Sequence, residues 1–231
     1  MNKIPQIIHQ IWSVADKPLP SHLKFFAETW KRHHSTWEYM FWDDRKMNDF
    51  VLKHYPQYWK IYGSFRYNIQ RWHAVRYLIL HSIGGMYVDF DSECFRSFDE
   101  LLNGKECCFS LEPEEYQRRH STEVYFNNAL MASVPEHPFM KEVIEKTFSY
   151  HPDMENSSDV LETTSSLMLV DVYLKSKNKE QVYLIPPEYT SPLTQNESIA
   201  WMKGEEPDEV LGKFKEAYSL HYFFNSWLDQ L

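Results

Sequence analysis

The hydrophobic positions of the chain follow two different spacings, and these alternate. Short runs of hydrophobic residues are typical of buried strands, and hydrophobic residues that recur every three or four positions are typical of helices. The pattern predicts, in order, a strand over 7–12, a helix over 21–33, a strand over 37–42, a helix over 45–54, a helix over 70–83 and a strand over 87–91. This alternation predicts an α/β fold with a doubly wound, mostly parallel sheet.

The second half of the chain continues with less regular elements. Its pattern predicts strands over 106–111, 124–132, 182–185 and 218–224, and helices over 138–150, 160–176 and 207–217. The polar segment 112–123 is predicted as a loop, either a mobile loop over a binding site or an ordinary solvated loop. No internal repeat or linker divides the 231 residues, so we expect a single domain over 1–231.

The predicted helix over 70–83 ends at Gly84 and Gly85, and such glycines favour helix termination. Its apolar stripe consists of residues three and four apart, namely Trp72, Val75, Ile79 and Ile83. Arg76 lies beside this stripe, and His73 lies one turn earlier on the same side. Because an arginine near a core needs an anion, Arg76 either forms a salt bridge to a neighbouring acid or contacts an anionic ligand.

Two aspartates, Asp89 and Asp91, close the strand that follows the glycines. Alternate residues of a strand share a face, so the two carboxylates are expected to point the same way and to repel each other. A cation between them would relieve this, and oxygen ligands suit Mg²⁺ or Mn²⁺. The alternative is a solvated strand end with an acidic turn, since the Asp-x-Asp pattern alone is common.

The ends of the predicted parallel strands supply a second reason to expect a site. In doubly wound sheets, ligands bind beyond the carboxyl ends of the strands. Trp12, Asp43, Asp89 and Asp91 all lie at such ends. We therefore group them as candidate ligand-binding residues.

Composition and charge exclude some classes of partner. A net charge of −9 argues against a nucleic-acid backbone, which requires clustered cations. No run of about 20 apolar residues is present, so no membrane-spanning helix is expected, and the N-terminal residues lack a secretory signal. Three cysteines, Cys94, Cys107 and Cys108, suit buried positions in a reducing cytoplasm better than a disulfide framework.

The block around the aspartates resembles a known family. Its residues are Arg76-Tyr77, Leu80, Gly84-Gly85, Tyr87, Asp89 and Asp91. They resemble the core of the DXD sugar-binding glycosyltransferases, a family that contains initiating mannosyltransferases and bacterial capsule-synthesis transferases. Residues 4–12 look like that family's first strand, and His221 with Ser226 and Trp227 looks like its closing segment.

This resemblance implies a fold and an activity. The fold is the GT-A type, a Rossmann-like mixed, mostly parallel sheet flanked by helices. The activity is a metal-dependent, retaining transfer of a hexose from a UDP- or GDP-linked sugar, with Mn²⁺ or Mg²⁺. The acceptor is expected to be a growing glycan, such as a bacterial surface polysaccharide, or a lipid-linked oligosaccharide. A cytoplasmic enzyme that visits such an acceptor at the inner face of the cell membrane is expected.

The resemblance also implies roles for individual residues. The catalytic residues would be Arg76, Asp89 and Asp91, and the metal ligands would be Asp89, Asp91 and His221. The donor would be bound by Trp12, stacked on its base, and by His73, Tyr87, Asn128, Ser226 and Trp227. For Asn128, an amide that satisfies a turn is an equally weighted alternative, and His9 is read as structural.

One position departs from the family pattern. His73 stands where related sequences usually carry an aspartate that holds the hydroxyls of the donor sugar, and an imidazole is not an equivalent acceptor. Two other functions therefore remain open. One is a nucleotide-sugar hydrolase or phosphoryl-transfer enzyme, which would need further acids for a second metal; the other is a carbohydrate-binding protein with altered or no catalysis.

Overall fold

The fold was analysed in a computed structural model, which describes residues 3–14, 17–149, 160–205 and 208–224. The strands are β1 Ile7–Ile11, β2 Glu38–Trp42, β3 Gly85–Val88, β4 Ser92–Cys94, β5 Cys107–Leu111, β6 Phe126–Ser133, β7 Val182–Ile185 and β8 Ser219–His221. The α-helices are α1 Ser21–His33, α2 Asp44–His54, α3 Trp59–Ser64, α4 Asn68–Ile83, α5 Glu114–His120, α6 Pro138–Thr147, α7 Val160–Thr163, α8 Ser166–Lys175, α9 Pro187–Thr190, α10 Gln195–Met202 and α11 Asp208–Lys213. Two short 3₁₀ helices cover Pro56–Tyr58 and Lys179–Gln181.

Six strands form the central sheet in the order β2-β1-β3-β6-β5-β7. Strand β6 runs antiparallel to both of its neighbours, while the β1–β2, β1–β3 and β5–β7 pairs are parallel. Strands β4 and β8 form a separate antiparallel pair. The prediction of a mixed, mostly parallel sheet flanked by helices is therefore confirmed.

The reversed direction of β6 gathers several loops at one edge of the sheet. In register, Val88 at the end of β3 lies opposite Leu130, and Leu111 at the end of β5 lies opposite Phe126. The first residues of β6 therefore lie beside the last residues of β3 and β5. This edge carries the site described below.

Helix α4 forms the centre of the core. Every residue from His73 to Leu80 is buried, so the helix is covered on all sides and is not the one-sided amphipathic helix that the spacing predicted. The reason is that hydrophobic residues also occupy positions outside the predicted stripe, at Tyr77, Leu78 and Leu80.

The glycine pair ends α4 as predicted, and the structure explains why both residues are glycine. Gly84 has φ +75° and donates its N–H to the oxygen of Leu80. A Cβ at Gly85, where φ is +98°, would lie 2.7 Å from the oxygen of Ile7. His9 accepts the indole N–H of Trp42 at Nδ1, and its Nε2 lies 2.8 Å from the oxygen of Gly84, which confirms its structural role.

Several predicted boundaries were wrong. Strand β3 ends at Val88, so residues 89–91 form a turn in which Ser92 N–H bonds to Asp89 O. The segment 112–123, predicted as a loop, contains α5, whose acidic first turn and basic last turn complement the helix dipole. The helix predicted over 160–176 is divided into α7 and α8.

The last predicted elements are also shorter than expected. Helix α11 covers Asp208–Lys213, and β8 covers Ser219–His221. The three cysteines are buried free thiols, as predicted. Within the described residues, no helix is both long and apolar enough to span a membrane.

Candidate active site

A cleft of about 580 Å³ opens at the edge of the sheet where β1, β3 and β5 end. The predicted site residues that line it are Trp12, His73, Arg76, Tyr87, Asp89, Asp91, Asn128 and His221. Ser226 and Trp227 lie outside the described residues. Asp43 is not in the lining; its carboxylate caps α2 by accepting the N–H of Lys46, so grouping it with the site was wrong.

Asp89, Asp91 and His221 come together and are called the metal group below. One ligand atom from each lies within 4.8 Å of the others, and His221 Nε2 lies 3.4 Å from Asp91 Oδ1. The β4–β8 pair brings them together, because Ser92 pairs with His221 and Tyr222 N–H bonds to the oxygen of Asp91. The two aspartates therefore meet across a turn and not through the strand period that suggested them.

Arg76 holds Asp89 from inside the core. Its Nη2 lies 3.3 Å from Asp89 Oδ1, and its Nη1 donates to Asp89 Oδ2 and to the oxygen of Asn128. The guanidinium also lies over the ring of Tyr87, whose hydroxyl donates to Asp89 Oδ1. Of the two alternatives for Arg76, the salt bridge is present, and its partner is one of the predicted metal ligands.

The two aspartates differ in electrostatic environment. Burial raises the pKa of Asp89, and the charge of Arg76 opposes this only in part. Burial would also raise the pKa of Asp91, but the charge and hydrogen bond of His221 and the N–H of Phe224 lower it overall. Burial disfavours the charged form of His221, yet Asp91 raises the pKa of that imidazole. The carboxylate of Asp91 is therefore the better ionised of the two.

The donor set of the metal group fits a divalent cation. Two carboxylates and an imidazole nitrogen are ligands that Mn²⁺ accepts, and a group of this spread closes around an ion with small side-chain adjustments. Each carboxylate is also anchored from behind, Asp89 by Tyr87 and Arg76 and Asp91 by the N–H of Phe224. Within the described ranges, this is the one group of three or more such side chains that could share an ion.

Trp12 lines the cleft directly after β1. Its Nε1 donates to the oxygen of Lys17, and its ring meets Phe90 edge to face at 5.9 Å between centroids. The indole is therefore held at the rim of the cleft by two independent contacts.

The side chains of His73 and Asn128 are largely committed to the protein. His73 Nδ1 lies 3.1 Å from Thr164 Oγ1, and burial, with the charge of Arg76, lowers the pKa of His73 well below its usual value. Asn128 Nδ2 donates to the hydroxyl of Tyr77, and its Oδ1 accepts from Ser165. Both residues line the cleft, but their contacts with the donor stay predictions.

The sequence reasoning missed Glu112, which lines the same cleft directly after β5. Its carboxylate accepts a 2.7 Å hydrogen bond from Asn127, and burial raises its pKa to about 7. A signal was available, because Glu112 directly follows the strand predicted over 106–111. It was hidden by reading the whole acidic segment as a loop.

Comparison with known proteins relates part of the chain to a glycosyltransferase family. A family model described as a glycosyltransferase sugar-binding region containing a DXD motif matches residues 20–108. Both Asp89 and Asp91 fall within that match. Residues 20–108 are therefore similar to a DXD-type glycosyltransferase sugar-binding region.

The curated relatives include fungal and viral glycosyltransferases. Inositol phosphoceramide mannosyltransferase 1 of Schizosaccharomyces pombe is 30% identical over 154 residues, which is 65% of this chain and 45% of that protein. Mannosyl phosphorylinositol ceramide synthase SUR1 of Saccharomyces cerevisiae is 31% identical over 64% of this chain and 35% of its own length. The uncharacterized glycosyltransferase L373 of Acanthamoeba polyphaga mimivirus is 26% identical over 82% of this chain and 73% of its own. The chain thus spans less than half the length of the two fungal relatives.

Solved structures of glycosyltransferases share the fold. PaToxG glycosyltransferase superposes with a TM-score of 0.56 and 14% identity over 90% of this chain and 79% of its own. The apo-form glycosyltransferase GlyE of Streptococcus pneumoniae gives a TM-score of 0.53 and 12% identity over 97% of this chain and 56% of its own. At such identity the similarity concerns the fold, which is the GT-A type.

Proposed function

We propose that this chain is a metal-dependent, retaining glycosyltransferase that transfers a hexose from a nucleotide-diphosphate sugar to an acceptor hydroxyl. The observation that carries the proposal is the metal group, which lines the cleft and whose two aspartates fall within the matched sugar-binding region. The mannosyltransferase names of the fungal relatives make mannose the first hexose to test.

We assign the following roles to the residues of the site. Asp89, Asp91 and His221 hold the cation, and the imidazole among the ligands favours Mn²⁺ over Mg²⁺. When bound, the cation acts as a Lewis acid that stabilises the charge on the departing diphosphate. Arg76 keeps Asp89 in place and adds positive charge beside the leaving group, while Trp12 provides an aromatic face for the base.

The retaining outcome is part of the proposal and rests on the family resemblance. In this scheme the acceptor attacks the face of the sugar from which the diphosphate departs, and a leaving phosphate oxygen takes the proton of the acceptor hydroxyl. The anomeric configuration of the product, read by NMR with a chemically defined donor, tests it directly. An inverted product or an isolated sugar–enzyme adduct would contradict it.

The identity of the acceptor stays a prediction. The curated relatives described above are fungal and viral, so they give no support to a bacterial surface polysaccharide, and the names of the fungal ones point to a glycolipid acceptor. The cytoplasmic location expected from the sequence also stays a prediction.

The decisive experiment is nucleotide binding with and without metal. UDP and GDP would each be added to the purified chain in the presence of Mn²⁺ or EDTA, and the melting temperature followed. A ligand at about 100 times its Kd stabilises the folded state by about 2.7 kcal/mol, a readily measured shift. Stabilisation by one nucleotide that requires Mn²⁺ supports the proposal; no metal-dependent stabilisation by either refutes it.

A further inference from the structure

Glu112 is a buried acid that the scheme above does not use. It is 6% exposed, and its Oε1 accepts the amide N–H of Asn127. Asn127 is itself fixed, because its Oδ1 accepts the N–H of Ala129. From the described residues, Oε2 of Glu112 receives no hydrogen bond. Among the described residues, Oε2 is also not one of the fully buried polar atoms without a partner, so it is accessible from the cleft and a ligand there can donate a hydrogen bond to it.

The position of Glu112 follows from the order of the strands. Along the edge of the sheet, Trp12 follows β1, Asp89 follows β3, Asn128 lies at the start of β6, and Glu112 follows β5. Neighbouring strands are about 4.8 Å apart. The base, the diphosphate and the sugar of a donor anchored at Trp12 and Asp89 would run along this edge, so Glu112 lies past the sugar, where the acceptor must approach.

The wall beside Glu112 is aromatic. Tyr116 stacks on Phe223 at 5.7 Å and on Tyr125 at 6.1 Å between centroids, and Tyr125 stacks on His120 at 4.6 Å. These four side chains are called the aromatic wall, and all of them line the cleft. The N–H of Glu112 donates to the oxygen of Tyr125, which joins the acid to the wall.

This combination matches a polyhydroxylated ring. Binding sites for small ligands are mostly apolar with a few placed polar groups, and a sugar presents a C–H face together with hydroxyl donors. The aromatic wall suits the C–H face, and a fixed carboxylate oxygen suits a hydroxyl.

We propose that Glu112, held by Asn127, binds a hydroxyl of the acceptor, and that the acceptor is a sugar or cyclitol ring that packs against the aromatic wall. The inference rests on the proposed function, since it assigns the second substrate of that same cleft. Glu112 positions the attacking hydroxyl, and Oε2 is the atom that receives its hydrogen bond.

The test is direct binding to the full chain. Wild-type protein with Mn²⁺ and the stabilising nucleotide would be titrated with methyl α-mannoside, methyl β-galactoside, methyl β-glucoside and myo-inositol, followed by saturation-transfer NMR. A lost hydrogen bond to a charged group corresponds to about a 10- to 100-fold change in affinity. We therefore expect at least one ring to bind, with a Kd about 10- to 100-fold weaker in Glu112→Ala and a smaller loss in Glu112→Gln, which keeps the side-chain shape.

Glu114→Ala is the matched control, because Glu114 is an exposed acid two residues away that pairs with Arg118. It should leave ring binding unchanged. The inference is overturned if none of the four rings binds the wild type, or if Glu112→Ala and Glu112→Gln bind them as tightly as Glu114→Ala does. Nucleotide binding separates the two proposals: the Glu112 variants should bind nucleotide and Mn²⁺ like the wild type, whereas wild-type protein that fails to bind them contradicts the proposed function itself.

Discussion

The metal group and the aromatic wall face the same cleft but are built in different ways. The metal group is held by charged hydrogen bonds from Arg76 and by the N–H of Phe224, whereas the wall is a stack of four rings with one acid beside it. The family match ends at residue 108, so it contains the two aspartates but neither Glu112 nor the wall. The two aspartates are thus part of a family pattern, whereas the place of Glu112 and of the wall is seen only in the tertiary structure.

Removing a metal ligand should have the largest effect on activity. This effect should be limited to the functions of the metal group. Asp91→Asn removes a ligand charge, and a bound metal contributes several kcal/mol to the transition state, so transfer should fall at least about a hundredfold. Metal-dependent stabilisation by nucleotide should disappear as well. Asp171→Asn, which alters an exposed acid paired with Lys175, is the control. Equal activity in the two variants would remove Asp91 from the site.

Breaking the Arg76–Asp89 pair should cost stability and not only activity. Arg76→Met takes the buried guanidinium away from Asp89, whose side chain is 28% exposed in the cleft, and a hydrogen bond to a charged group contributes about 1.5–3 kcal/mol. Urea unfolding measures the loss. Arg118→Met, on an exposed helical pair, should change stability by less than about 0.5 kcal/mol. A similarly small change for Arg76→Met would show that the Arg76–Asp89 pair does not stabilise the fold.

At Glu112, in contrast, removing the side-chain charge should stabilise the protein. Burial raises the pKa of Glu112 from 4.5 to about 7, so the folded state loses stability relative to the unfolded state as the pH rises from about 4.5 to 7. Glutamine does not titrate. Glu112→Gln should therefore be more stable than the wild type at pH 8 by up to about 3 kcal/mol, and the difference should vanish near pH 4.

This prediction is checked by denaturant unfolding at several pH values. If the difference in unfolding free energy between Glu112→Gln and the wild type is the same at pH 4 and at pH 8, the carboxyl of Glu112 is well solvated. In that case the contrast between the metal group and the destabilising charge of Glu112 would be lost.

The smallest effect should come from Trp12, the residue proposed to stack on the base of the donor. Trp12→Ala removes an aromatic face worth about 1–3 kcal/mol of base stacking, so nucleotide affinity should fall by about 5- to 150-fold while transfer at saturating nucleotide changes little. Calorimetric titration with Mn²⁺ present measures it. Trp59→Ala is the control, since Trp59 lies outside the cleft and stacks on Tyr62. Nucleotide affinity that is the same in both variants would remove Trp12 from the donor site.

Local patterns in the sequence were sufficient for much of the fold. The alternation of spacings predicted β1, β2, β3, α1, α2 and α4, and the glycine pair predicted the end of α4, but helix α3 was not predicted. These signals are local, because helix caps and apolar spacing depend on neighbours within a few residues. The predictions were wrong where a local signal was ambiguous. Segment α5 was predicted as a solvated loop because it is rich in charged residues, yet its acidic first turn and basic last turn are what a helix favours.

The site was predicted only as far as its residues lie in one segment. Arg76, Asp89 and Asp91 belong to one recognisable block, and His221 entered through the family resemblance alone. Its place beside Asp91 depends on the β4–β8 pair, which joins residues about 130 positions apart. The contact between Glu112 and Asn127 depends likewise on the register of β5 and β6.

The sequence by itself determined the elements and the chemical groups that the chain can offer. The tertiary structure decided which of these groups meet and which are buried. The physical reason is that strand pairing brings distant residues within hydrogen-bonding distance. Exclusion of water around these residues then shifts the pKa values of their side chains. That combination places Asp91 beside His221, which lowers the pKa of the carboxyl and raises that of the imidazole, and leaves Glu112 as a buried acid facing the cleft.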